Sequence, residues 1–177
     1  MKKINKLNTG FTLVETLVAV SIFSISILGM MSVLGSSIAN TNYAKRKIIA
    51  TYLAQEGIEY IRNMRDTYVL YPANGGWVNF RAKLSSCNEG NECGINNSAL
   101  VTDNSFIFKC SGGCKLYLNN GGYSSSGSTD SGFVREIWAK IIDKEKEIKI
   151  FSKVEWTQGS GTYNITFSEN LFNWYEI

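Results

Sequence analysis

The sequence predicts an α+β protein. A long N-terminal helix, membrane-spanning in its first half, packs by its second half on a C-terminal antiparallel β-sheet. Three features point there. Residues 16–44 contain no charged side chain. Residues 45–66 regain charge but keep an apolar stripe at helical spacing. Residues 133–142 and 147–156 alternate with period two, as half-buried strands do.

Composition sets the outer limits. With 177 residues, 44% of them hydrophobic and 19% charged, the chain is ordinary globular material and neither disordered nor collagen-like. The length fits one domain with an appendage. The absence of histidine excludes a His-dependent triad and a His-ligated metal. A formal charge of +3 is too small to argue for a nucleic-acid partner.

The first ten residues are polar and basic, with Lys2, Lys3 and Lys6 and no acid. From Phe11 the chain turns apolar. As a helix, residues 16–44 extend about 44 Å at 1.5 Å per residue, more than the ~30 Å hydrocarbon core of a bilayer. The transmembrane part is expected at about residues 11–35. Ser21, Ser24, Ser26 and Ser32 are compatible with it, because a helical serine returns its hydroxyl proton to a carbonyl one turn back. A cleaved secretory signal has the same basic start but a shorter apolar core. A buried soluble helix would rarely stay uncharged for so long.

Glu15 interrupts this apolar segment. It lies one turn after Phe11, on the same helix face. An acid in a membrane helix costs several kcal/mol unless it is paired or near the interface. Either Glu15 sits at headgroup depth, solvated, or it finds a cation. No Lys or Arg follows within two turns. Cutting the chain before Phe11 would create one, a free α-amine.

The run Gly10-Phe11-Thr12-Leu13-Val14-Glu15, after a lysine-bearing leader and before a long apolar helix, resembles the class III signal of type IV prepilins and type II secretion pseudopilins. The resemblance covers about the first quarter of the chain. It implies a leader at residues 1–10, cleavage between Gly10 and Phe11 by prepilin peptidase, and N-methylation of Phe11. It further implies that Glu15 pairs with a neighbouring subunit's terminal amine in a filament. Pairing within one chain is an alternative, since Phe11 and Glu15 are one turn apart. The implied partners are other pilin or pseudopilin subunits, an inner-membrane assembly platform and the membrane itself. Charge leaves orientation nearly a draw, because Lys45-Arg46-Lys47 balances the leader lysines. The resemblance puts the leader in the cytoplasm and the remainder outside, first as a single-pass membrane protein and then in an extracellular filament. Removing residues 1–10 leaves 15 basic and 15 acidic side chains, so the +3 belongs to the leader.

Beyond the membrane segment, Ile49, Tyr52, Leu53, Tyr60, Ile61 and Met64 form the expected stripe, with Gln55, Glu59, Arg62 and Arg65 on other faces. Glu59 precedes Arg62 by three residues, giving local support. The stripe is expected to pack on the chain's own sheet. Tyr52-Leu53-Ala54-Gln55-Glu56-Gly57-Ile58-Glu59 resembles the mid-helix stretch of some minor pilins. Gly29 and Gly35 mark a place where the helix can bend.

Residues 67–177 are expected to form the β-rich domain outside the membrane. Trp77-Val78-Asn79-Phe80 is a candidate short element, and residues 105–108 and 115–118 are candidate strands. Residues 119–128 are expected to be loop. Strands at 133–142, 147–156 and 162–167 form a meander. Phe133, Arg135, Ile137, Ala139 and Ile141 share one side. Ile148, Ile150, Ser152, Val154 and Trp156 share another. The resemblance implies the pilin arrangement of helix first and sheet after.

Cys87, Cys93, Cys110 and Cys114 allow three disulfide connectivities. Close spacing and flanking glycines favour Cys87 with Cys93 and Cys110 with Cys114, with pairing between the two loops as the alternative. Disulfides fit an extracytoplasmic domain. The C-x5-C and C-x3-C spacings do not favour zinc, and no metal or other cofactor is expected. No phosphate loop or dinucleotide fingerprint occurs. Asp130, Glu145 and Glu147 near turns read as solvated acids, so no enzyme is expected. Lys140, Lys144, Lys146, Lys149 and Lys153 are interleaved with acids and read as a mixed solvated face rather than a DNA contact. The expected role is structural, a filament subunit of minor-pilin or pseudopilin type. The alternative is a membrane-tethered binding module that does not polymerise.

Overall fold

A computed structural model describes residues 10–111 and 113–174. The leader residues 1–9 lie outside the described residues, including Lys2, Lys3 and Lys6. The order of elements is helix α1 (Leu13–Leu70), a 3-10 turn (Pro72–Asn74) and helix α2 (Gly76–Leu84). Seven strands follow: β1 (Cys93–Ile95), β2 (Ile107–Lys109), β3 (Lys115–Asn119), β4 (Gly122–Ser124), β5 (Thr129–Asp143), β6 (Glu147–Gln158) and β7 (Gly161–Phe172). The chain is α+β, with a long N-terminal helix and an antiparallel sheet. It divides into two compact units, Met1–Ala44 and Lys45–Ile177.

The first unit holds the apolar part of α1. Its Ser21, Ser24 and Ser26 hydroxyls each donate to the carbonyl four residues back, at 2.8 Å. That bond removes the cost of an unsatisfied hydroxyl on an apolar helix. None of its most apolar eighteen-residue stretch is buried by the chain.

In the second unit, α1 buries Ala50, Leu53, Ala54, Gly57, Ile58, Ile61, Met64, Tyr68 and Val69. The stripe differs from expectation at Tyr52, which is 68% exposed. Small residues explain this. Ala50, Ala54 and Gly57 let the helix approach the sheet closely, and the stripe centres on them, leaving Tyr52 one step around the helix. A Cβ at Gly57 would overlap the Ser152 hydroxyl and meet Arg135 Cδ at 3.2 Å. The helix also ends at Leu70, four residues beyond the expected limit, because buried Tyr68 and Val69 continue the stripe. Asn74 Nδ2 then donates to the Thr67 carbonyl at 3.1 Å, satisfying one of the last orphan acceptors.

A buried cation ties this part of α1 to β5. Arg135 is 2% exposed. Its Nη1 donates to Glu56 Oε2 at 2.6 Å and to the Leu53 carbonyl at 3.3 Å. Its guanidinium also lies 5.5 Å from the centre of the Tyr60 ring. The Tyr60 hydroxyl donates to Glu56 Oε1 at 3.2 Å. Burial, with the Glu56 charge adding, pushes the Tyr60 phenol above its ordinary range. Arg46 engages the far end of β6 through the Thr157 carbonyl, at 3.0 Å.

The sheet centres on β5, which pairs with β6 along one side and with β1 and β3 along the other. The meander β5–β6–β7 is antiparallel throughout. Phe133, Arg135, Ile137 and Ala139 are buried on β5, as are Ile148, Ile150, Ser152, Val154 and Trp156 on β6. Ile141 departs from this, being exposed next to a register shift between Ile141 and Asp143. The core joins Ile58, Ile61 and Met64 of α1 to Trp77, Phe80 and Leu84 of α2 and to Ile137, Ile148, Ile150 and Leu171 of the sheet.

The candidate short element at Trp77 to Phe80 is part of helix α2, where the Trp77 indole donates to the Lys144 carbonyl at 3.0 Å. Three further elements differ from the sequence expectation. Residues 119–128 are not all loop: Asn119 pairs with Gly122 and β4 forms. Asn120 and Gly121 both have positive φ, 48° and 81°, as a two-residue hairpin turn requires. Strand β7 extends to Phe172 instead of residue 167. Its single charged residue, Glu169, is bound by Arg62 through Nε at 3.2 Å and Nη2 at 2.5 Å. The expected strand at 105–108 shifts to Ile107–Lys109, with Phe106 inserted in the core.

The four cysteines form two disulfides, Cys87–Cys93 and Cys110–Cys114, with Cα separations of 5.4 and 5.1 Å. All four sulfurs are thereby consumed, which removes a four-thiolate metal site. The Cys87 carbonyl accepts from Ala139 N–H at 2.8 Å, so the first disulfide loop covers the edge of β5.

Two outcomes follow for stability. Gly57→Val is expected to lower unfolding stability by about 2 kcal/mol through overpacking, measured by thermal denaturation in detergent. An unchanged midpoint contradicts the close approach. Replacing Cys87 and Cys93 together by Ala is expected to cost about 2 kcal/mol, from the loop-closure entropy of a short loop. The same change at half-buried Cys110 and buried Cys114 is expected to cost about as much, because that loop is of similar length and also bonds β5, the Cys114 carbonyl accepting from Arg135 N–H at 2.9 Å; an unchanged stability contradicts this.

Candidate functional site: the N-terminal segment

The candidate site is the run from Gly10 to Glu15. Gly10 is exposed and non-helical, and a Cβ built on it meets nothing within 4 Å. The chain's own packing therefore does not require glycine there. Phe11 follows with 77% of its surface exposed.

Thr12 starts the helix. Its Oγ1 accepts from the Glu15 backbone N–H at 3.3 Å, and its carbonyl accepts from Thr16 N–H at 3.2 Å. Thr12 is thus the N-cap and Glu15 occupies N3, the spacing of a capping box. Reading the sequence for membrane length and charge missed this role. The Thr12-x-x-Glu15 spacing was the signal that could have found it. Glu15 lies in the first turn, where a negative charge also favours the helix dipole. Its side chain is exposed, and among the described residues it makes no ion pair. The structure brings Gly10, Phe11, Thr12 and Glu15 into one exposed turn and leaves the Glu15 carboxylate available. The four cysteines belong to the second unit.

Several other charged groups singled out in the sequence have ordinary partners. Asp130 accepts from Gly132 N–H at 2.8 Å and pairs with Lys115 at 3.2 Å; these bonds, the backbone one foremost, hold its carboxyl below the usual range. Glu147 accepts from Asn170 at 2.6 Å. Lys153 lies 3.3 Å from both Glu136 and Glu155, and Lys149 lies 5.5 Å from the Phe151 ring centre.

Residues 5–31 match the prokaryotic N-terminal methylation motif. This class III signal is typical of type IV pilins and pseudopilins. The match supports a type IV pilin-like or pseudopilin precursor. The apolar helix and the signal together fit a membrane-anchored protein. No curated protein and no solved structure matches the chain significantly.

The cap has a measurable consequence. Thr12→Ala is expected to weaken the first helical turn by about 1 kcal/mol. In hydrogen exchange of the micelle-bound chain, amide exchange at Glu15 should accelerate roughly fivefold, and Thr12→Ser should retain protection. Equal exchange in all three chains contradicts the cap.

Proposed function

We infer that the protein is a structural subunit of a type IV pilus or type II secretion-type filament, a minor pilin or pseudopilin rather than the major subunit. Prepilin peptidase cuts after Gly10, Phe11 is N-methylated, and the mature chain polymerises through its N-terminal helix. One observation supports this most directly. The methylation motif stands on a helix whose apolar surface the chain itself does not cover. Lipid covers such a surface before assembly, and neighbouring helices cover it afterwards.

Cleavage releases an α-amine one turn before Glu15. Among apolar helices an unpaired carboxylate is costly. A subunit register that pairs Glu15 with a neighbour's Phe11 amine is therefore favoured. The minor-subunit assignment rests on the resemblance of residues 52–59 to minor pilins. The leader faces the cytoplasm and the cystine-bearing unit lies outside, where disulfides persist. An inner-membrane platform supplies the assembly machinery, and the role is structural, not catalytic.

Intact mass spectrometry of the membrane-extracted protein tests processing. The expected mass begins at Phe11, carries one methyl group and shows no free thiol before reduction. A chain beginning at Met1 contradicts the reading. The assembly role is tested with Glu15→Val, expected to be cleaved normally and depleted from filaments. Wild-type incorporation of that variant overturns the pairing, and absence of the wild-type chain from filaments favours a tethered binding module instead.

A further inference from the structure

We propose that the groove between Trp138 and the loop leading into the first disulfide is a saccharide site. Its ligand is a short neutral oligosaccharide, one ring of which stacks on the Trp138 indole. The groove is lined by residues of the second unit alone, so this goes beyond the filament reading and does not rest on it.

The strands place an aromatic pair where the core does not use one. Alternation on β5 buries Ile137 and Ala139 in the core and turns Trp138 and Lys140 to the opposite face of the sheet. Phe151 of β6 stands directly across from Trp138. The two rings lie parallel within 5°, with centres 5.1 Å apart, so each covers one face of the other. The Lys149 ammonium lies 5.5 Å from the centre of the Phe151 ring. Among the described residues no second ring and no cation lies over Trp138, which leaves the indole a face to offer.

The loop after α2 supplies the facing wall. It is closed by the Cys87–Cys93 disulfide and held to β5 by the 2.8 Å bond from Ala139 N–H to the Cys87 carbonyl. Between loop and strands runs an open groove of about 540 Å³. Trp138, Phe151 and Ile141 contribute to its apolar lining, and Asn88, Glu89 and Lys140 to its polar lining. This is the size and make-up of a small-molecule site. Among the described residues the Trp138 indole N–H has no acceptor, yet it is not sealed from solvent. Glu89 and Lys140 are exposed and have no hydrogen bond or ion pair among those residues. Free donors and a free acceptor thus stand beside an aromatic face.

That combination selects the ligand class. A sugar ring presents an apolar C–H face, which suits the negative face of an indole. Around that face stand hydroxyls that both donate and accept. They accept from Lys140 and the Trp138 N–H and donate to Glu89. The charges of Glu89 and Lys140 cancel, so the groove favours neither an anion nor a cation. A nucleotide would bring its phosphate close to Glu89. A peptide added as a strand needs a run of free backbone groups. Along this side of β5 Ala139 is already bonded to Cys87, and the register shift between Ile141 and Asp143 leaves Ile141 alone before it.

Saturation-transfer NMR on the full chain in phosphatidylcholine nanodiscs, which carry no sugar, tests this. The probes are maltotriose, cellotriose, mannotriose, galactotriose and triacetylchitotriose at millimolar concentration, with trigalacturonate as the acidic comparison. Saturable transfer to the ring C–H protons of at least one neutral trisaccharide is expected, and weaker transfer to trigalacturonate. Trp138→Ala is expected to abolish the signal and Trp138→Tyr to retain it. Because Trp138→Ala also removes the ring packed on Phe151, Glu89→Ala gives a second arm on an exposed side chain. It is expected to weaken binding about tenfold with unchanged circular dichroism. No saturable transfer to any neutral probe overturns the proposal. So does equal binding by the wild-type and Glu89→Ala chains, or a preference for trigalacturonate.

Discussion

The constraint on which everything else depends is that the first half of α1 finds no cover within its own chain. Leu17, Ile22, Phe23, Leu28 and Leu34 all stand exposed, and their neighbours are apolar too. Leaving such a stripe in water is unfavourable by roughly 25 cal/mol for every Å² of apolar surface. The surface must be met by lipid or by other helices. Its serines accommodate that medium by bonding backward along the helix, and Glu15 is the one group that does not belong in it. The run around it matches the N-terminal methylation motif, and the cleavage proposed after Gly10 would place an amine one turn away.

The second half of the same helix meets the opposite condition. It is covered, and covered closely, because its contact stripe is built from Ala50, Ala54 and Gly57 as well as from larger residues. At that short separation Arg135 reaches the helix flank, bonding both to Glu56 and to a main-chain carbonyl. Breaking a pair of this kind by removing one partner leaves a buried charge without compensation. The pair therefore acts as a specificity element, holding β5 in one register against α1, and the surrounding hydrophobic core supplies most of the stabilisation. The disulfide loops work at the periphery of this arrangement, the first of them covering a β5 edge that short β1 leaves open.

What the sequence made legible followed from long, uniform signals. The uncharged run, the strict alternation on β5 and β6, and the Gly-Phe-Thr-Leu-Val-Glu motif each extend over enough residues to exclude other readings. The α+β class came from these. Short or composite signals were missed. Gly57 and Ala54 are small and carry little hydropathy signal, so the pattern of large apolar residues omits the centre of the contact stripe and includes exposed Tyr52. Asn120-Gly121 is a strong hairpin signal, but it was overshadowed by the Ser/Gly-rich stretch that follows. The expected strand at 162–167 falls short of the observed end of β7 at Phe172; Glu169 breaks the apolar pattern there, and the tertiary position of Arg62 makes that carboxylate acceptable. The motif around Thr12 masks its role as a cap, although both roles occupy the same four residues.

The central claim is that one continuous helix serves two energetically separate surroundings. Hydrogen exchange of the intact chain in lipid nanodiscs, read residue by residue across increasing denaturant, tests it most directly. Amides 45–70 should lose protection together with those of β5, β6 and β7, as one cooperative unit. Amides 13–38 should remain protected beyond that transition, held by the bilayer alone. If both halves of α1 open in a single transition, or if residues 45–70 stay protected with the membrane half after the sheet has opened, the account is contradicted.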